Sequence, residues 1–312
     1  MKLSQVKGNT WVAEGRELIP FYKLDEHRCI LLDTGLYSER EELERSLLDN
    51  GLTPAGILCS HAHVDHCANN AYLQQKYHIP VALTPQEAAM CQNLLTLKCY
   101  FLVFSIGQLD LEASCMIHTP DVLVPPEDGP FDFAGARFRI IHTPGHSPGH
   151  ISTITPDNVC YVADALLSHD LLGAKLPYNL CHRQAMGIRK KLRGLGCDAY
   201  IMAHTGVCPP VHFEELIDAN QQLLQERLEE ILEVIDRPMS FSEIAAAVCE
   251  RYQLYTHKAR RAHQFERNIQ FFVEYLVDTG LVEMESRRGA LYYRPARQQP
   301  PADCIFPSAV LK

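Results

Sequence analysis

The chain has 312 residues and a mass of 35.3 kDa, more than one ordinary domain, which excludes a short disulfide-stapled scaffold. With 46% apolar and 21% charged residues, 17 Gly and 19 Pro, it is neither globally disordered nor collagen-like. The net charge of −9 opposes attraction of the whole surface to nucleic acid or anionic lipid and leaves room only for a local basic patch.

Residues 1–15 hold no apolar run of signal-peptide length, and no segment approaches the roughly 18 consecutive apolar residues of a membrane span, so a cytoplasmic protein is expected. The twelve cysteines stand singly, without a C-x-x-C pair, and read as small buried groups in a reducing compartment. Up to about residue 210, short β-like runs punctuated by Gly, Pro and Asp alternate with helical stretches, the pattern of layered α and β elements. Residues 29–35 read as a buried strand closed by a polar turn, and 55–60 as a second strand that opens directly onto His61. The region 85–126, with Leu94, Leu95, Leu97, Tyr100, Phe101, Leu102, Val103 and Phe104, is an apolar helical stretch, read as core packing first and as a cleft wall second. Further strands are predicted at 138–142, 151–155, 159–162 and 199–202.

From 212 to 235 apolar residues recur at helical spacing, predicting a long connecting helix broken at Arg237-Pro238. Ser240 and Glu243 form a capping start for a helix through Val248, and 268–279 reads as another amphipathic helix ended by Gly280. Residues 281–285 and 290–294 flank Ser286-Arg287-Arg288-Gly289 as a hairpin, and helices followed by a hairpin resemble a winged helix. Residues 237–298 carry 10 Lys/Arg against 7 Asp/Glu, net +3, whereas 1–236 carry 18 against 30, net −12. The end of the chain after Arg297 reads as a poorly ordered tail.

The densest chemical signal is His61-Ala62-His63-Val64-Asp65-His66, three imidazoles and a carboxylate in six residues. His61 and His63, two apart, can project the same way from an extended segment, while Asp65 and His66 turn aside as the loop enters a helix. Two adjacent metal ions would satisfy that layout, and the donor types suit zinc, iron or manganese. A polar helix cap with solvated histidines is the bland alternative.

This H-x-H-x-D-H run after a short apolar strand resembles the hallmark of the metallo-β-lactamase superfamily. The rest of that family's pattern stands in order: Asp33-Thr34-Gly35 upstream, then Thr143-Pro144-Gly145-His146-Ser147-Pro148-Gly149-His150, then Asp164, then His204 in Met202-Ala203-His204-Thr205-Gly206. The resemblance covers roughly residues 10–210. It implies an α/β (α+β) fold, a four-layer αββα sandwich over residues 1–211, here followed by a connecting helix at 212–236, a small winged-helix-like domain at 237–298 and a tail at 299–312. It also implies two divalent metal ions, zinc foremost with iron or manganese as alternatives. His61, His63 and His146 would hold one ion, Asp65, His66 and His204 the other, and Asp164 would bridge them. A metal-bound hydroxide would be the nucleophile of a hydrolysis, with Asp65 as the catalytic residue that orients it and relays a proton. The chain departs from the pattern in having Ala163 and Ala203 where Gly is common, and Ser147 for the usual Thr.

Other candidates read more blandly. His142 and His150 are expected to orient the backbone or His146, while His118, His169, His182 and His212 read as solvated or core histidines, with His169 the foremost exception. Cys67 reads as a packed residue. The seven-ligand set resembles the glyoxalase II branch, so a thioester, ester or lactone small molecule is the expected substrate. Lys175, Tyr178 and Arg183 are only candidates for contacting it, and the substrate-binding residues stay unassigned. The alternative is hydrolysis of single-stranded RNA or another phosphodiester, because β-lactamase-like endoribonucleases carry a small C-terminal winged-helix domain, and His257-Lys258-Ala259-Arg260-Arg261 with Arg287-Arg288 offers basic charge there. The acidic first 236 residues oppose a polyanion, and residues 237–298 read first as a lid or homodimer element packed on the catalytic domain. A small molecule therefore ranks before nucleic acid, and no membrane partner is expected. A binding protein that has lost its metals is opposed by the intact ligand set. β-Lactam hydrolysis is opposed by Asp164 and by the absence of a secretion signal.

Overall fold

Seven strands assemble in chain order: β1 (Lys2–Lys7), β2 (Thr10–Glu14), β3 (Leu18–Lys23), β4 (Arg28–Leu31), β5 (Thr53–Leu58), β6 (Val81–Leu83) and β7 (Val122–Leu123). The computed structural model describes residues 1–101, 104–204 and 206–297. Strands β1 to β4 pair antiparallel through tight connections, and β4 to β7 pair parallel through helical crossovers. The second sheet runs in the order β13-β12-β11-β10-β9-β8, with β8 (Gly129–Phe133), β9 (Ala136–His142), β10 (Ile151–Ile154), β11 (Val159–Ala163), β12 (Ala199–Met202) and β13 (Val207–Cys208). Only β11 and β12 pair parallel in this sheet.

Side-chain alternation sorts the core into layers. Val12, Ile30, Leu32 and Leu58 of the first sheet pack against Phe138, Ile140, Tyr161 and Ile201 of the second. The first sheet's other face, with Phe21, Leu31, Ile57 and Val81, is covered by Leu43, Leu47, Leu73 and Leu97 from helices. The second sheet's other face, with Ile141, Val162 and Tyr200, is covered by Ile188, Leu192, Phe213 and Leu216. Two sheets between two helical layers are the four-layer sandwich the family resemblance implies.

Strands β1 to β3 were not in the sequence reading. Lys2–Lys7 shows little apolar alternation, and Pro20 inside β3 argues against a strand. It is tolerated because its carbonyl still accepts from Leu32 N–H at 2.8 Å.

The chain divides into two compact units, 1–172 with 184–220, and 173–183 with the residues from 221 onward. The division falls inside the helix Pro210–Val234, predicted at 212–235. In the second unit the helix Phe241–Arg251 starts on the expected Ser240–Glu243 capping box. The helix Ala259–Asp278 begins nine residues before the predicted start, so Arg260 and Arg261 lie in its first turn. Strands β14 (Val282–Arg287) and β15 (Ala290–Pro295) close through Arg288 and Gly289, both with positive φ, and Met239 bridges to Tyr293. Leu102, Val103, Thr205 and the predicted tail at 299–312 lie outside the described residues. No described helix is long and apolar enough to cross a membrane, and the eleven cysteines of the described residues are free thiols.

Candidate metal centre

The carboxyl ends of five strands converge. Asp33 follows β4, His61 follows β5, His146 follows β9, Asp164 follows β11 and His204 follows β12. Asp33 and Ala163 sit in left-handed backbone, φ 73° and 50°. Ala163, the last residue of β11, therefore holds a backbone conformation that Gly adopts at lower cost.

An outer set of partners fixes which ring nitrogen faces inward. Asp33, buried, accepts from Ser60 N–H, Ser60 Oγ and Tyr161 OH at 2.6 Å each, and from His66 Nδ1 at 2.8 Å. Burial opposes its ionisation, but His66, Ser60 and Tyr161 outweigh that and hold its carboxyl below the usual range. Because the Ser60 hydroxyl is committed to Asp33, it accepts from His61 Nδ1 at 2.9 Å, leaving the His61 Nε2 lone pair inward. His66 Nε2 is likewise turned inward and is buried without a hydrogen-bond partner. His204 Nδ1 pairs with Glu17, again presenting Nε2. Tyr100 OH lies 2.8 Å from His63 Nε2, so this ring presents Nδ1.

The inward nitrogens meet. His63 Nδ1 is 3.0 Å from both His61 Nε2 and His146 Nε2. Asp164 Oδ2 lies 3.2 Å from His146 Nε2 and His204 Nε2, 3.4 Å from His66 Nε2 and 3.9 Å from His61 Nε2. Asp65 completes a second group, 3.9 Å from His66 Nε2 and 3.8 Å from His204 Nε2. Donor atoms of His61, His63, His146 and Asp164 all lie within 4.8 Å of one another, as do those of Asp65, His66 and His204. Burial, reinforced by neighbouring histidines, pushes His61 well below its ordinary value, so its ring is neutral. Burial opposes charge on His204 as well, but Asp164 and Glu17 overcome it and carry this ring up to about 10. Converging imidazole nitrogens, His66 Nε2 among them buried without a hydrogen bond, and two carboxylates form a donor set that fits divalent cations once His204 gives up its proton.

The remaining histidines fall elsewhere. His150 pairs with Thr143 Oγ1 at 2.8 Å and accepts from Asp164 N–H at 3.2 Å, orienting the backbone at Asp164. His142 pairs with Pro125 O, His118 with Met116 O, and His182 packs tilted against Phe272 with centroids 4.0 Å apart. His169 and His212 line a shallow cavity of about 130 Å³ with Ser168, Gly206 and Cys208. Lys175, Tyr178 and Arg183 belong to the second unit, where Tyr178 packs on Phe271 and Arg183 donates to Asp278 O. Cys67 is buried, its thiol held well above the ordinary value by its Cys91 partner and by burial. In the 85–126 stretch Leu97 is core, while the Tyr100 and Phe101 rings stand 5.9 and 6.5 Å from His63.

Sequence reasoning missed Glu17, Ser60, Tyr100 and Tyr161 as partners of the cluster. The available signals were weak: a serine directly before the histidine run, and a tyrosine hydroxyl within a fully apolar strand that must find a partner when buried.

Comparison with known proteins bears on the family and the fold. The family model described as Metallo-beta-lactamase superfamily matches residues 18–204. The probable metallo-hydrolase YqgX of Bacillus subtilis is 28% identical over 158 residues, 49% of this chain and 64% of that protein, so the match spans just under two thirds of the relative. The hydroxyacylglutathione hydrolase GloC of Haemophilus influenzae is 27% identical over 58% of this chain and 82% of its own length. A metallo-beta-lactamase family protein from Thermus thermophilus shares the fold, with TM-score 0.67 and 21% identity over 94% of this chain and 98% of its own. A beta-lactamase domain protein from Burkholderia ambifaria does so with TM-score 0.72 and 17% identity over 95% and 94%.

Proposed function

Since this chain belongs to the metallo-β-lactamase superfamily, we propose that it is a dinuclear-metal-dependent hydrolase of a thioester, ester or lactone small molecule. The observation that carries the reading is one carboxylate oxygen, Asp164 Oδ2, set among inward-facing nitrogens of two separate ligand groups. His61, His63 and His146 would hold one ion, Asp65, His66 and His204 the other, and Asp164 both, with zinc the metal that suits this donor set best. When bound, two such ions supply Lewis acidity toward a carbonyl oxygen and acidify water.

The chain's own groups do the rest. Asp65 is partly exposed, its side chain 27% accessible, and can accept a proton from an attacking water and orient it, while the buried His61 and His66 cannot exchange freely with solvent. Tyr100 and Phe101 beside His63 offer an apolar wall to an acyl group. The hydroxyacylglutathione hydrolase named among the relatives supports a thioester within this class.

The second reading is a hydrolase of single-stranded RNA that uses residues 237–298, as a winged-helix-like domain, to bind the strand. It is supported by the helix-helix-hairpin order and by Arg260, Arg261, Arg287 and Arg288 on exposed positions of that unit.

Metal analysis of the purified chain, coupled to turnover of thioester, lactone, phosphodiester and single-stranded RNA substrates with and without chelator, tests both. Two ions per chain and chelator-sensitive thioester or lactone turnover are expected, with Asp65→Ala/His66→Ala losing turnover while keeping the fold. Full activity in that double variant refutes the dinuclear reading, and RNA cleavage alone moves the assignment to the second.

A further inference from the structure

The helix Pro85–Cys91 opens on Thr84-Pro85-Gln86-Glu87, the spacing of a capping box. Neither polar residue caps it. Thr84 makes no side-chain cap bond, and its Oγ1 donates instead to Gly149 O at 2.8 Å. Glu87 is fully buried, and its carboxylate reaches two other segments. Oε2 accepts from Ala62 N–H at 2.7 Å, between His61 and His63. Oε1 accepts from Ser147 Oγ and Gly149 N–H at 2.7 Å each, directly after His146. The first turn of the helix is pressed onto that loop: a Cβ at Gly149 would lie 2.3 Å from Thr84 Oγ1 and 2.9 Å from Gln86 Cβ.

A carboxylate buried against neutral donors alone is an expensive way to close a loop, and a helix cap would have been served by the same two residues at the surface. We propose that Glu87 is a positioning residue: it fastens the His61–His63 turn to the His146 loop and so presets three imidazoles for one divalent ion. This rests on the dinuclear reading above. The carboxylate form matters because all three partners sit as donors. In Glu87→Gln one terminal atom becomes a donor itself, and it must face the N–H of either Ala62 or Gly149.

Titration of the metal-free full chain with Zn2+, and with Co2+ read by its visible absorption, tests the assignment. The wild type takes two ions. Glu87→Gln binds one of them with unchanged affinity and the other about 10- to 100-fold more weakly, the weakened one being the ion whose Co2+ band His146→Ala also removes. Ser147→Ala, which deletes one donor and keeps both backbone donors, weakens the same ion by less and decides the matter where Glu87→Gln does not fold. Unchanged affinities in Glu87→Gln, or in Ser147→Ala where that variant must decide, overturn the role of Glu87 and leave the dinuclear reading standing, as does equal weakening of both ions. A wild type that binds fewer than two ions overturns both.

Discussion

Two buried carboxylates organise the centre from outside it. Asp33 gathers Ser60, Tyr161 and His66, and Glu87 gathers Ala62, Ser147 and Gly149, yet they differ in charge balance. Asp33 faces an imidazole that favours its ionised form, whereas Glu87 faces only neutral donors, with the Cys91 thiol of its own helix adding to its upward shift. Burial, foremost, pushes the Glu87 carboxyl from 4.5 up to about 7. Folding thus penalises the ionised carboxylate, although its three donors are aligned for it, and the protonated form escapes that penalty. Its contribution is present in full below about 4.5 and is lost as pH rises to about 7. Metal-free wild type is expected to lose roughly 3 kcal/mol relative to Glu87→Gln across that window, and the difference to be level above it. Denaturant unfolding of both proteins at a series of pH values measures this, and a difference independent of pH contradicts it. The seven candidate ligands were legible because four of them lie within six residues and the others end apolar strands in a recognisable order. Asp33 was visible only as part of a turn motif, and Glu87 was not singled out at all, because their partners are 25 to 128 residues distant and no local spacing encodes such pairings.

At the scale of elements, strands with a clean apolar run followed by His or Asp were found to within a residue or two, and β12 at its own bounds. The amphiphilic β1 and the proline-bearing β3 were lost, as was the polar first half of the helix Ala259–Asp278. In each case tertiary pairing, not local pattern, supplies the stability. The helix His182–Leu192 shows a conflict of another kind. Arg189, only 3% exposed, buries Nε and Nη1 without hydrogen-bond partners, and burial alone pushes its guanidinium down to about 10. A depressed cation destabilises the fold at every pH below that value, and the penalty is relieved only as pH climbs from about 10 toward the unfolded value. Arg189→Met keeps the unbranched stem and removes the charge, so it is expected to stabilise the protein at pH 7 by about 1–3 kcal/mol, a rise of several degrees in Tm. A lower Tm for Arg189→Met would show that its guanidinium is satisfied in solution.

For the molecule as a whole, the second unit is not a detachable appendage at the C-terminus, because it includes residues 173–183 from the middle of the chain. Within it, Asn268 Nδ2 donates to Leu176 O at 2.8 Å, and Tyr178 and His182 pack on Phe271 and Phe272 with centroids 5.9 and 4.0 Å apart. A chain ended at residue 236 would leave that segment without any of these partners and expose its own packed side chains, Tyr178 and His182, so truncation is expected to lower Tm and promote aggregation. Loss of RNA cleavage on such a truncation would therefore report unfolding as readily as a lost binding surface. The sharper comparison keeps the full chain and replaces Arg260 and Arg261, both exposed on the first turn of their helix, by Glu. If the unit binds a nucleic acid strand, Arg260→Glu/Arg261→Glu weakens RNA binding and flattens its salt dependence by about two phosphate contacts, while thioester or lactone turnover and Tm stay at wild-type values. Unchanged RNA affinity in that variant assigns any RNA binding to another surface, and a parallel fall in small-molecule turnover would show instead that these arginines serve the hydrolytic centre.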